Sequence, residues 1–388
     1  MLAVFGIILY ALYYPTVFSL DSIEATWSRA EISKKADEFL HSQQLDDAKF
    51  NKTIIFQQNE RVIRYLQTSL GIEEANMLIK EEPEQINYWF VQYYQDIERN
   101  IPREGFEVFL SMDGKILGFN HWLPDTASGA SISPEEALQR CENFLVFKIG
   151  LDTTDYVLEK SSSKNFRARK DHYFTWEGRD PKFLDAKIQI KMSVTGDRVS
   201  GYNRNIEIPQ KELETYNEYD TRRSFLNVIT YLISFLMLIF ISVIFLKKYH
   251  QGEIGVRHGF YFFVLIIVLG ILFTTLNIKL WSQYTHIGAM RRTHVMWFLF
   301  IIFIIFVDLF RALTVFTGWS AGESYARELW PEKISAIDGI LKGKIFTLNT
   351  ARSIINGYFA SFVVVGFITL FSYIGMTYFH GWATASFA

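Results

Sequence analysis

Four apolar runs in the carboxyl half constrain this chain more than any other feature. Residues 225–246, 259–281, 295–316 and 354–378 carry few charges, and each is near or above the roughly 20 residues with which an α-helix crosses hydrocarbon about 30 Å thick. Aromatic side chains gather at several of their ends, as they do at membrane interfaces. The expectation is a multi-pass, all-α transmembrane helix bundle over 222–388. Residues 1–20 form a fifth apolar run. No basic residue precedes Arg29, so the run lacks the charged start of a signal peptide, and it has no small-residue cleavage site. It reads as a membrane anchor helix. Ala388 follows directly on a span, so the chain is expected to be a fragment of a longer protein.

Between the first two spans lies a polar block, residues 21–221, which holds most of the charges and is expected to fold in water. With 39 Lys+Arg against 41 Asp+Glu overall, the chain lacks the basic excess that nucleic-acid binding needs. A single cysteine, Cys141, excludes an intramolecular disulfide framework and a cysteine-based zinc cluster. Orientation follows from basic loop residues. Loop 247–258 carries Lys247, Lys248 and Arg257, and the connection 319–353 carries Arg327, Lys333, Lys342, Lys344 and Arg352. The short loop after Trp281 has only Arg291 and Arg292. Alternation then puts the two richer loops in the cytoplasm and the polar block outside.

The polar block repeats itself. Ile32-Ser33-Lys34-Lys35-Ala36, followed by Phe39-Leu40 and Leu45-Asp46, is echoed by Ile132-Ser133-Pro134-Glu135-Glu136-Ala137, Phe144-Leu145 and Leu151-Asp152. Each copy opens with a serine in the N-cap position before an amphipathic run, Ser33 in one and Ser133 in the other, which starts a helix. Pro134 at the first helical position strengthens the second start. A hairpin pattern recurs as well. Residues 106–123 alternate about Asp113-Gly114, residues 187–208 alternate about Gly196-Asp197, and Gly118-Phe119-Asn120 corresponds to Gly201-Tyr202-Asn203. Apolar alternation about a glycine-containing turn is a hairpin signature. Each unit is therefore a helix followed by antiparallel strands, an α+β fold present in tandem, with an extra helical insert at 59–79 in the first copy.

A helix leading into hairpins of the D-G-x-(I/V)-x-G-(F/Y) kind resembles the PepSY-like domains of bacterial surface and secreted proteins. That resemblance implies contact with a peptide or cell-envelope protein and regulation of a neighbouring protease, not catalysis. The segment 318–333, with its G-x-S-x-G-E-S string and Arg327-Glu328-Leu329-Trp330-Pro331, is similar to the region ahead of the catalytic domain in large bacterial CPBP (CAAX-protease-like) intramembrane proteases. Such proteins often join an anchor helix and a PepSY-like extracytoplasmic block to their spans. The resemblance implies a bacterial inner-membrane location and an intramembrane endopeptidase whose E-E-x-x-x-R motif lies within a span.

The one literal match to that motif, Glu135-Glu136-Ala137-Leu138-Gln139-Arg140, sits in the polar block. A water-activating glutamate gains from a desolvated site, whereas these acids suit the first turn of a solvated helix. No catalytic residue is assigned, and whether the chain is an enzyme stays open. Intramembrane charge is a functional hypothesis by default. Asp308 and Arg311 lie at i, i+3 in the third of these spans and are expected to form a structural ion pair. Glu323 and Arg327, at i, i+4 on a short interfacial helix, are expected to form another, within an amphipathic connector over 319–353. Gly318-Trp319-Ser320-Ala321-Gly322 lacks the strand-turn-helix context of a nucleophile elbow. The eight scattered histidines form no metal-ligand spacing, so no metal or cofactor is assigned. Cys141 reads as a small core residue. Asn51-Lys52-Thr53 is a glycosylation sequon only in an organism that glycosylates. The expected function is the regulatory or substrate-binding amino-terminal region of a CPBP-like protease. The alternative is a non-enzymatic sensor or transport subunit with a ligand-binding outer domain. Expected partners are membrane lipid and a peptide or cell-envelope protein, with no nucleic acid.

Overall fold

The computed structural model describes residues 2–18, 27–81, 86–97, 103–181, 183–252, 254–284 and 290–379. The expected end of the anchor at 19–20, the start of the polar block at 21–26 and residues 380–388 fall outside these. In chain order the amino-terminal elements are α1 (Leu2–Val17), α2 (Arg29–Ser42), β1 (Asn51–Gln58), α3 (Glu60–Leu70), α4 (Ile72–Glu81), β2 (Asn87–Tyr94), β3 (Gly105–Ser111) and β4 (Ile116–Trp122). The second copy supplies α5 (Pro134–Asn143), β5 (Tyr156–Asn165), β6 (Lys170–Gly178), β7 (Lys187–Thr195) and β8 (Arg198–Glu207). The remaining helices are α6 (Gln210–His250), α7 (Val256–Tyr284), α8 (Arg292–Ile302), α9 (Leu309–Leu329), α10 (Pro331–Leu341) and α11 (Leu348–Phe379). Two compact units result, one made chiefly of residues 11–213 and the other of 214–286 and 293–368 with the first ten residues.

In the first unit the two copies merge into one antiparallel sheet of eight strands, in the order β1-β2-β3-β4-β8-β7-β6-β5. The join is made by the repeated tripeptide. Gly118 pairs with Asn203, Phe119 with Tyr202 and Asn120 with Gly201, so each motif faces its own repeat across a local two-fold. Asn203 Nδ2 donates to Asn120 Oδ1 at 2.7 Å over the space that the glycines leave. An added Cβ at Gly118 would lie 3.0 Å from the Asn203 side chain, and one at Gly201 would lie 2.4 Å from Ser193 Oγ. Both turn glycines of the hairpins, Gly114 and Gly196, have positive φ, which a glycine adopts without strain.

One face of the sheet is covered by the two repeat helices. Ile32, Ala36 and Leu40 of α2 pack on Val91, Tyr93, Phe106, Val108 and Phe119. Ala137 and Cys141 of α5 pack on Phe174, Trp176, Ile190, Met192 and Tyr202. Phe39 touches both clusters. Alternating residues thus turn inward on each strand, as a half-covered antiparallel sheet requires. The start of α2 differs from expectation. Ser28, not Ser33, is the N-cap, in a capping box whose other half is Glu31, and Ser33 sits one turn inside the helix. Ser133 caps α5 as expected, with Pro134 following. The insert is two helices, capped by Asn59 and divided at Gly71 (φ +82°).

Among the described residues, four helices, lying mostly in the second unit, are long and apolar enough to cross a membrane: α6, α7, the continuous helix from α8 through α9, and α11. Between none and 17% of their most apolar windows is buried. Large side chains such as Phe225, Tyr231, Phe240 and Leu276 point outward. A soluble bundle would turn those side chains inward, so lipid is the solvent this surface fits. The protein is a multi-pass membrane protein. α1, at 16 residues, rises about 24 Å, short of the hydrocarbon width. Its first half nonetheless belongs to this unit, where Gly6 meets α11 so closely that an added Cβ would lie 2.3 Å from the Phe362 carbonyl oxygen, and one at Gly366 2.3 Å from that of Gly6. Small residues at such crossings are how helices approach in lipid.

Candidate functional site

One cluster of polar side chains in the membrane unit lies where the end of α6, the start of α7 and the end of α9 meet. Glu323 and Arg327 are paired, the guanidinium donating from Nε and Nη2 to Glu323 Oε1 at 2.9 and 2.7 Å. They stand not on a separate short helix but on the last turns of α9, which runs unbroken to Leu329. Trp330 carries the chain out of helical geometry and Pro331 opens α10. Around the pair are groups that local spacing did not identify. Trp319 Nε1 donates to Glu323 Oε2 at 2.8 Å, and His258 Nδ1 lies 3.0 Å from Glu323 Oε1. Arg327 also donates to both oxygens of Asp338 on α10, at 3.0 and 2.7 Å. That guanidinium holds the Asp338 carboxyl below the ordinary carboxylate range. Nearby, Lys248 of α6 donates to Ser324 Oγ and Glu328 Oε1 at 3.1 and 3.0 Å and lies 3.9 Å from the Tyr325 ring centre.

These contacts tie the end of α6, the start of α7, the end of α9 and α10 together. Ligand atoms of His258, Glu323 and Asp338 lie within 4.8 Å of one another, a donor set that could hold a cation. Arg327 bridges the two carboxylates and occupies that role, because its forked donors match two carboxylate oxygens at once. Glu323 is likewise engaged by Trp319 and Arg327, which suits a structural acid better than a base.

Asp308 and Arg311 form the expected i, i+3 pair at long range. Arg311 Nη1 stands 3.9 Å away, with its side chain 64% exposed. The carboxyl, 3% exposed as a residue, also turns toward α7. There Thr274 Oγ1 donates to it at 3.4 Å, and Gly270 leaves room, since an added Cβ would lie 2.4–2.7 Å from the carboxyl atoms. A π-helical turn, Phe303–Asp308, ends on this residue. π-turns inside helices recur where a side chain is re-aimed for function.

The sheet unit has a second concentration of polar groups. A cleft of about 390 Å³ opens between the end of α2, the β7–β8 turn and the stretch after α5. It shares Gln44, Leu45, His121, Asp197 and Arg198 with a neighbouring cavity of about 620 Å³. Volumes of this size are those of ligand sites. His121 Nε2 lies 2.5 Å from Glu104 Oε1, and burial pushes the histidine pKa down, against the pull of Glu104. After α5 the chain makes a π-turn, Phe144–Ile149, that buries Phe144 and Leu145 and leaves Phe147 80% exposed. Arg169 and Asp171, a buried pair at 3.0 Å, fix the inter-repeat linker: Arg169 donates to the carbonyls of Pro124 and Ala127, and Asp171 accepts from the Gly196 amide.

Glu135 is fully solvated, and its own backbone amide and Ser133 hold its carboxyl below the usual range, the opposite of a base poised near neutrality. Cys141 is buried, and desolvation pushes its thiol up to about 12, so it is a core side chain. In comparison with known proteins, no family model matches the chain, and no curated protein or solved structure does either.

Proposed function

We propose that this chain is a recognition and regulatory region, a water-facing sheet domain that binds a peptide or cell-envelope protein, carried by a membrane bundle that docks a protease core of the CPBP kind. One observation carries the reading. The polar network of the membrane unit is closed by its own ion pairs, whereas the sheet unit keeps a ligand-sized cleft between its repeats. Recognition therefore belongs to the sheet unit and scaffolding to the bundle. The proposed setting is a bacterial inner membrane with the sheet unit outside. Probing the full chain in nanodiscs with a displayed random-peptide library tests recognition. Enrichment of peptides over empty nanodiscs is expected, and none would overturn it. Sequencing the reading frame beyond codon 388 tests the protease link: further spans bearing E-E-x-x-x-R support it, and a stop codon sinks it.

A second reading, a sensor or transport subunit, is favoured by Asp308, a buried acid at the end of a π-turn within a span. It predicts a proton or cation flux in proteoliposomes that Asp308→Asn abolishes. No flux by the unaltered protein removes it.

A further inference from the structure

The cleft of the sheet unit has a chemistry of its own. Among its described lining residues are three cations, Arg140, Lys148 and Arg198, and one carboxylate, Asp197. Arg140 is partly occupied, donating to the Asp197 carbonyl at 2.6 Å and to Glu136 at 2.8 Å. Lys148 and Arg198 stand exposed at the mouth. The floor is His121, buried, with its ring 4.7 Å from that of Phe106. Gln43, Gln44 and Asn143 add carboxamides, which bond peptide N–H and C=O groups equally well. Phe147 stands at the rim, its ring turned to solvent by the π-turn.

We infer that this cleft binds an extended acidic peptide, with carboxylates held by Lys148 and Arg198 and an adjacent apolar side chain on Phe147. The inference rests on the reading of the sheet unit as a recognition domain and names its site and ligand class. Three features favour a peptide over a compact anion. The cleft continues into the 620 Å³ cavity through shared residues, so it is elongated. Its polar lining is carboxamide as well as cationic. The exposed aromatic lies beside the cations, where an apolar side chain next to an acidic one would fall.

The test uses the full chain in nanodiscs and two labelled octapeptides of glycine, leucine and glutamate or of glycine, leucine and lysine, followed by fluorescence anisotropy. The glutamate peptide is expected to bind more tightly than the lysine peptide, with affinity falling as salt is raised. The double variant Lys148→Glu, Arg198→Glu should weaken it about tenfold or more. Phe147→Ala should weaken both peptides, and Lys160→Glu on β5 should change neither. Melting curves matching the parent show that each variant is folded. Equal binding of the two peptides, or indifference to the double variant, overturns the cleft. Should library peptides still be captured, the broader recognition reading survives that result. If the folded chain captures no peptide of any kind, both fall.

Discussion

At the scale of single residues, the repeated Gly-aromatic-Asn tripeptide is the most informative element. Its glycines admit the two asparagines that bond across the join of the repeats. Gly201→Ala would set a methyl 2.4 Å from Ser193 Oγ, a hydroxyl itself 3.0 Å from that of Ser200. Overpacking of this kind costs about 1–3 kcal/mol. A lowered melting temperature is expected, partly restored by adding Ser193→Ala. No loss, or no restoration, would show that the join does not depend on this fit. On the opposite sheet face from the repeat helices, Glu107 accepts from Asn120 Nδ2 at 3.1 Å and also from Gln92, yet burial outweighs both bonds and raises its pKa. A carboxyl whose folded pKa lies above its unfolded one stabilises fully below the ordinary value, near 4.5. That contribution is lost as pH rises through the folded value. Glu107→Gln should therefore melt higher than the parent at neutral pH and no higher in acid, with the difference growing through that window. Thermal melts of both proteins across the acidic range measure it, and a pH-independent difference would contradict the assignment.

At the scale of elements, what the sequence makes legible is local, and what it hides is tertiary. Both hairpins could be read because alternation and a turn glycine lie within one short segment, and the four long apolar runs could be read because span length is a property of one segment. The start of α2 departs from the repeat pattern for a local reason. Repeat alignment pointed to Ser33 opposite Ser133, but the Ser28-x-x-Glu31 capping box one turn earlier satisfies two backbone donors reciprocally and starts the helix there. Ser28→Ala should therefore cost about 1 kcal/mol. Ser33→Ala, which loses a hydrogen bond from the Lys52 ammonium at 3.0 Å, should cost less. Urea denaturation of the two variants decides between the caps, and the reverse order would restore Ser33. The β4–β8 join and the meeting of His258, Glu323 and Asp338 were invisible because their partners lie 65–83 residues apart or on separate helices. No periodicity encodes such pairing.

At the scale of the whole molecule, the order of spans and the placement of charge make one topology easier to build than the other. Lys248, His258, Arg327 and Asp338 all meet at one end of the bundle, and all four come from the loops whose basic residues argue for the cytoplasm. On the proposed topology, alternation of the spans would put the sheet unit on the other side of the membrane. The chain's only cysteine makes this testable without a cleared background. Cys141 is fully buried and its thiol is pushed up to about 12, so the reactive thiolate is scarce at neutral pH. Two single substitutions report the sides: Ser162→Cys on the exposed edge strand β5, and Lys342→Cys just after α10. In intact bacterial cells from which any outer membrane has been removed, a membrane-impermeant maleimide should label Ser162→Cys directly. It should reach Lys342→Cys only after permeabilisation, and leave the parent unlabelled in both cases. The inverse pattern would place the sheet unit in the cytoplasm and withdraw its access to cell-envelope partners. Labelling of both positions in intact cells would mean that an even number of crossings separates them, contrary to the three spans α6, α7 and α8–α9 that lie between.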